Sequence, residues 1–162
     1  MPSETWRIRN HDKMCAYRRK WYRSNSKSVK RRSKDRREFF LEWLLEIKSH
    51  SRCELCQEDV QCCLDLHHDQ KDQKVDVISR IIYDSCSLGK TIDEFLKCAI
   101  LCSNCHRKIH NNIVNVRLHK IEKKLIDYTF RLVCDNRRKN NKYVPPFHDD
   151  IDRIIFTAVS GS

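Results

Sequence analysis

Apolar positions along this chain recur in short helical stripes set between long charged stretches. Phe39, Phe40, Trp43, Leu44 and Ile47 fall at helical spacing and predict a firm helix, with Asp35 and Glu38 three residues later as its capping pair. Before it, Arg7 to Arg32 reads as one long basic helix or two shorter ones, loosened around Ser24 to Ser28. A strand pattern follows near residue 64. Leu64 and Leu66 share one face with His68, while His67 points to the other.

Asp69 to Lys90 is polar and uneven and predicts a long connection, in which Ile78, Ile81 and Ile82 could pin a short helical turn to the core. Thr91 and Glu94 make a second capping box. Ile92, Phe95, Leu96 and Ala99 mark the buried side of a short helix that delivers Ile100 and Leu101 to Cys102. Val114, Leu118, Ile121, Leu125, Tyr128 and Leu132 then alternate four and three apart, the pattern of an amphipathic helix packed on the core or on a second subunit. Arg137 to Lys142 reads as a basic linker, Pro145-Pro146 as a helix stop, and Ile151 to Val159 as an apolar tail.

Composition narrows the class. A chain of 162 residues fits one domain with appended arms, and two glycines with 34% charged residues favour solvated helices over a turn-rich sandwich. The net charge of +11 is concentrated at one end: between Arg7 and Arg37 fourteen Lys and Arg stand against Asp12 and Asp35. Trp6, Tyr17, Trp21 and Tyr22 are interleaved with them. Such an arm offers cations to phosphates, with Arg18, Arg19, Lys20, Arg23, Lys30, Arg31 and Arg32 as its candidate contacts, and rings that either pack on sugars and bases or belong to the core. The run has too few large aliphatics for a membrane-surface helix. No apolar stretch follows the charged N-terminus, so neither a signal peptide nor a membrane span is expected. Ten cysteines then read as thiols of a reducing, cytoplasmic compartment, although Lys27 to Arg37 would pass for a nuclear-import signal in a eukaryotic setting.

Those cysteines carry the first chemistry. Cys53/Cys56 and Cys102/Cys105 are two Cys-x-x-Cys knuckles, which together supply the four thiolates of a closed structural zinc site. Cys15, Cys62, Cys63, Cys86, Cys98 and Cys134 lie outside them and read as buried or incidental thiols. His106 and His110 follow the second knuckle four residues apart, so they share one helical face and could reach a second metal. His11, His50, His119 and His148 have no ligand spacing around them.

Taken in order, Cys53-x-x-Cys56, Leu66-His67-His68-Asp69 and Leu101-Cys102-Ser103-Asn104-Cys105-His106 with His110 resemble the HNH endonucleases, particularly small phage-type members with a zinc-framed ββα-metal motif. The resemblance covers roughly residues 38 to 112. It implies an α+β fold in which a β-hairpin carries His67 and His68 and a helix carries His106 and His110, the two clasping one catalytic ion. It further implies His68 as general base and His67, His106 and His110 as ligands of that ion. The family's central asparagine, which orients the base histidine, is matched by Lys97 here. What fixes His68 is therefore left open by the sequence.

Elementary chemistry agrees with those roles. Phosphodiester hydrolysis needs a deprotonated water opposite the leaving oxygen and a cation for the charge building on phosphorus. An imidazole not bound to metal, with a pKa near roughly 6.5, accepts that proton at neutral pH. Three imidazoles suit manganese, nickel or zinc better than magnesium. Arg107 and Lys108, beside the ligands, could grip neighbouring phosphates. The organisation expected is a basic helical arm over 1–37, a nuclease core over 38–112, and a C-terminal helix and tail over 113–162. The function expected is metal-dependent cleavage of double-stranded DNA, with a homodimer if both strands are cut at a palindrome. A non-catalytic zinc-stabilised DNA-binding module is the alternative; a protein-interaction zinc module has no use for the polybasic arm.

Overall fold

The computed structural model describes residues 4–68, 76–84 and 87–144. Asp69, Cys86, Pro145-Pro146, His148 and the apolar tail 151–159 lie outside the described residues, as does much of the expected connection after His68. The chain is mixed: helices with one small antiparallel sheet. In order it forms α1 (Glu4–Arg9), α2 (His11–Ser49), a 3-10 turn (Gln61–Cys63), β1 (Leu64–His68), α3 (Ile78–Tyr83), α4 (Leu88–Phe95), β2 (Cys98–Cys102), α5 (Ser103–His110) and α6 (Lys123–Lys139). It divides into two compact units, 1–35 and 36–162. No helix among the described residues is long and apolar enough to cross a membrane.

In the first unit the expected loosening at Ser24 to Ser28 does not occur. Ser24, Ser26 and Ser28 turn their hydroxyls back onto the carbonyls of Lys20, Arg23 and Asn25, and the Asn25 amide donates to Trp21, so residues that compete with a helix bond within it instead. Asp35 caps nothing. It lies inside α2, with its carboxylate 3.9 Å from Arg31 one turn back. Trp6, Tyr17, Trp21 and Tyr22 are each 45% exposed or more, which excludes them from a core and leaves the rings on the same surface as the cations.

The second unit is built around Trp43. Phe39, Phe40, Phe95 and Phe130 surround its ring, with centroids 5.0 to 6.4 Å away, and its indole N–H donates to Thr129 Oγ1 at 3.1 Å, which satisfies the one polar atom it brings inside. The stripe Phe39 to Ile47 is thus the core face that its spacing predicts. Ile78, Ile81 and Ile82 are likewise buried, as α3.

Four expectations are corrected here. Thr91 and Glu94 are not a capping box: α4 starts earlier, with Ser87 as N-cap accepting from the Lys90 amide, so both residues are interior and Thr91 bonds back to the Ser87 carbonyl. Ala99, expected on the helix, instead joins Ile100 and Leu101 in β2, every residue of which is buried. Its register with β1 pairs Leu64 with Cys102, Leu66 with Ile100 and His68 with Cys98. The amphipathic stripe from Val114 is two structures. Residues 113–122 form no regular element and are tied to the sheet by the Ile121 amide on the Cys98 carbonyl, and only from Lys123 does α6 run, burying Ile126, Thr129, Phe130, Val133 and Cys134. Tyr128 stays half exposed, and Arg137, expected in a linker, is buried within α6 with Nη1 2.8 Å from Glu42 Oε2. Of the stripe, Leu118 and Ile121 are buried in the chain's own core and Leu125 packs against it.

Candidate metal centres and the cavity beside them

Two clusters of potential metal ligands lie around β1, β2 and α5, one of four cysteines and one of three histidines. Cys53 and Cys56 occupy the turn after α2, closed by the Gln57 amide on the Cys53 carbonyl with Gln57 at φ 63°, and the Glu54 amide reaches the Ile100 carbonyl so that this turn is stitched to β2. Cys102 ends β2 and caps α5, its sulfur accepting from the Cys105 amide at 3.4 Å. All four sulfurs lie within 4.8 Å of one another, and Cys56 and Cys102 approach to 3.6 Å.

Crowded thiols of this kind resist losing their protons together. Burial, with the sulfurs of Cys102, Cys56 and Cys53 adding to it, pushes Cys105 up to about 12. At Cys53 burial also raises the pKa, but backbone hydrogen bonds from Cys102, Cys56 and Leu55 outweigh it and bring the thiol down to about 7. A divalent cation resolves the conflict by replacing the protons, and four closely set sulfurs are the donor set of structural zinc. The residues therefore fit zinc. Cys62 and Cys63, one turn before β1, are exposed; Cys98 and Cys134 are buried outside the cluster.

The second cluster is His67, His106 and His110, whose ring nitrogens also fall within 4.8 Å of one another. Alternation along β1 sends Asp65 and His67 to the α5 side, where His106 and His110 stand one turn apart. The Nε2 atoms of His106 and His110 are 3.0 Å apart, close to the roughly 3.3 Å edge of a tetrahedron with bonds of about 2.05 Å. Asp65 Oδ2 takes a hydrogen bond from Ser103 at 2.9 Å and lies 3.5 Å from His106 Nδ1, so a carboxylate backs the far side of that ring, as ligand histidines require. Three convergent imidazoles fit a transition-metal ion.

His68 faces the other way, as the strand period dictates. Its Nε2 is 3.0 Å from Glu94 Oε2, and the other oxygen of Glu94 accepts from Lys97 Nζ at 2.6 Å. Glu94 is 1% exposed, yet ionised: burial alone would raise its pKa, and the hydrogen bonds from Lys97 and His68 more than reverse that, holding it below the ordinary carboxylate range. Periodicity places Glu94 at a helix cap. Only the packing of α4 against β1 reveals it as the partner of His68.

All four histidines line one cavity of about 880 Å³, with Leu41, Leu44, Ile78 and Ile82 supplying apolar walls. Its cations are Arg37 and Lys48, neither of which the sequence singles out at this site. Arg37 stacks its guanidinium 4.3 Å over the Tyr83 ring, and its Nε is buried without a hydrogen-bond partner among the described residues. Arg107 and Lys108 are exposed on α5 and are not among the cavity's lining residues. In the first unit Arg18, Arg19, Lys20, Arg23, Lys30, Arg31 and Arg32 all lie on the surface, and Arg18 shares a shallow concavity with Tyr17, Trp21 and Tyr22. His11 contacts its neighbour Asp12, His50 contacts Glu46 and sets its ring edge-on to Tyr128 at 5.2 Å, and His119 pairs with Glu54. Compared with family models, curated proteins and solved structures, the chain matches none.

Proposed function

We propose that the chain is a metal-dependent DNA endonuclease of the HNH type, with a zinc-framed ββα-metal core formed by β1, β2 and α5. The observation that carries this reading is the convergence of three imidazoles on one point of a cavity that a fourth, carboxylate-held imidazole also lines. Three nitrogen donors and a separate base are the parts that phosphodiester hydrolysis needs.

In this reading His68, with Nε2 engaged by Glu94, presents Nδ1 to a water and takes its proton. The water oxygen bonds to phosphorus as the bond to the 3′ oxygen breaks, and the departing 3′ oxygen takes a proton from a solvent water, leaving a 5′-phosphate and a 3′-hydroxyl. A divalent ion held by His67, His106 and His110 would stabilise the charge that builds on the phosphate and the departing oxygen. Asp65 keeps His106 turned toward the other two rings. Arg37, flat against Tyr83 with an unused buried donor, grips a phosphate flanking the cut, and Lys48 a second. The basic, ring-bearing surface of residues 4–35 supplies further contacts to the phosphates of the duplex.

The test is cleavage of supercoiled plasmid by zinc-loaded protein across magnesium, manganese, nickel and zinc, with His68→Ala alongside. Cleavage by wild type, at least as fast in manganese as in magnesium, and none by His68→Ala are expected. DNA binding without cleavage in any metal would overturn the reading in favour of a non-catalytic DNA-binding module.

A further inference from the structure

We infer that Glu94 and Lys97 are positioning residues for His68: together they fix the tautomer and direction of the imidazole that serves as base. The inference rests on the nuclease reading above and adds to it two residues on the α4 side of the fold.

The geometry is selective. Glu94 reaches His68 from α4, and the strand register leaves His68 opposite Cys98, three residues past the end of that helix, so the contact depends on α4 folding back beside β1. An ionised carboxylate has no proton to give, so in the bond of 3.0 Å the ring must donate through Nε2. Neutral His68 then has its lone pair on Nδ1 alone. The carboxylate also lies against the imidazolium that forms when Nδ1 takes a proton, and steadies it.

Lys97 completes the arrangement from the helix end. Its ammonium, 2.6 Å from the second oxygen of Glu94, stops the carboxylate from turning and supplies the charge that keeps it an acceptor. Glu94 is 1% exposed, so water cannot take over either bond. A mere ion pair between α4 and β1 would need neither a buried carboxylate nor two different donors on its two oxygens. Lys97 occupies the position at which the sequence offers no side chain able to orient His68 directly, and it acts through Glu94 instead.

The experiment uses the full, zinc-loaded chain and two readouts. Ring nitrogen shifts of His68 by NMR should report the Nε2-protonated tautomer in wild type and a mixture in Glu94→Gln, because an amide both donates and accepts. Steady-state cleavage should show kcat lowered about ten- to a hundredfold in Glu94→Gln, part of the roughly 10²- to 10⁴-fold that general-base catalysis supplies, with KM and zinc content unchanged. Lys97→Met should lower kcat less, again at constant KM, and it decides the matter if Glu94→Gln does not fold. A wild-type ring protonated on Nδ1, or a folded variant with full kcat, overturns the assignment while leaving the nuclease reading intact. A wild type that cuts nothing in any metal overturns both, whatever the tautomer.

Discussion

A carboxylate at 1% exposure survives only if its partners replace the water it has lost, and Glu94 has two. Its folded pKa is held below the ordinary value of 4.5, so the contribution to stability is present above the unfolded value and lost as pH falls through the folded one. Urea midpoints of wild type and Glu94→Gln should therefore differ most near neutrality and converge on the acid side of 4.5. A gap that widens in acid would contradict the ion pair. Single residues of the cysteine cluster were legible from spacing alone, because four thiolates on one ion constrain sequence distance. Glu94 was not, because its partner His68 stands 26 positions away on another element and no local pattern relates them.

At the scale of elements, α2 and α6 meet through Trp43 and Thr129. Trp43→Ala should cost about 3–5 kcal/mol, and Thr129→Val, which strands a buried indole N–H, about 1–3 kcal/mol. Combined in one chain, the two losses should fall short of their sum in chemical denaturation, since removing the indole leaves Thr129 nothing to accept. Alternation predicted the strand character of Leu64–His68, and helical spacing predicted the buried face of α2 and the identity of α3. Helical spacing failed where one apolar run served two structures, at 92–101 and again at 114–132. A strand buried on both faces and a helix core look alike over so few residues, and the hydrogen bonds that separate them, such as the Ile121 amide on Cys98, are long-range.

For the whole molecule, the four-cysteine cluster, which fits zinc, and the uneven charge are the governing features. The first knuckle is tied to β2 through the Glu54 amide and the Ile100 carbonyl, and β2 leads directly into α5, so the four sulfurs fasten the sheet and the histidine helix at one point. Cys102→Ser, or a strong chelator, should release the zinc and abolish the cooperative thermal transition together; a transition that persists without zinc would show the metal to be dispensable for folding. If the proposed nuclease function holds, DNA affinity falls steeply with salt. Replacing Arg18, Arg19, Lys20 and Arg23 by Gln should weaken binding to all sequences alike and flatten the log–log salt slope by as much as about 3.6, at roughly 0.9 for each phosphate no longer neutralised. An unchanged slope would remove the arm from the interface.

By itself the sequence determined the charge of the arm, the two knuckles, the helical pairing of His106 with His110, and the opposed directions of His67 and His68. Each of these follows from a local period or a short covalent spacing, which the chain carries wherever it folds. Tertiary structure alone decided that β2 pairs with β1, that Asp65 backs His106, that Arg37 and Lys48 line the histidine cavity, and that Glu94 and Lys97 hold His68. Those contacts join residues whose separation along the chain costs entropy to close, and they form only because burial of the Trp43 core brings their elements together.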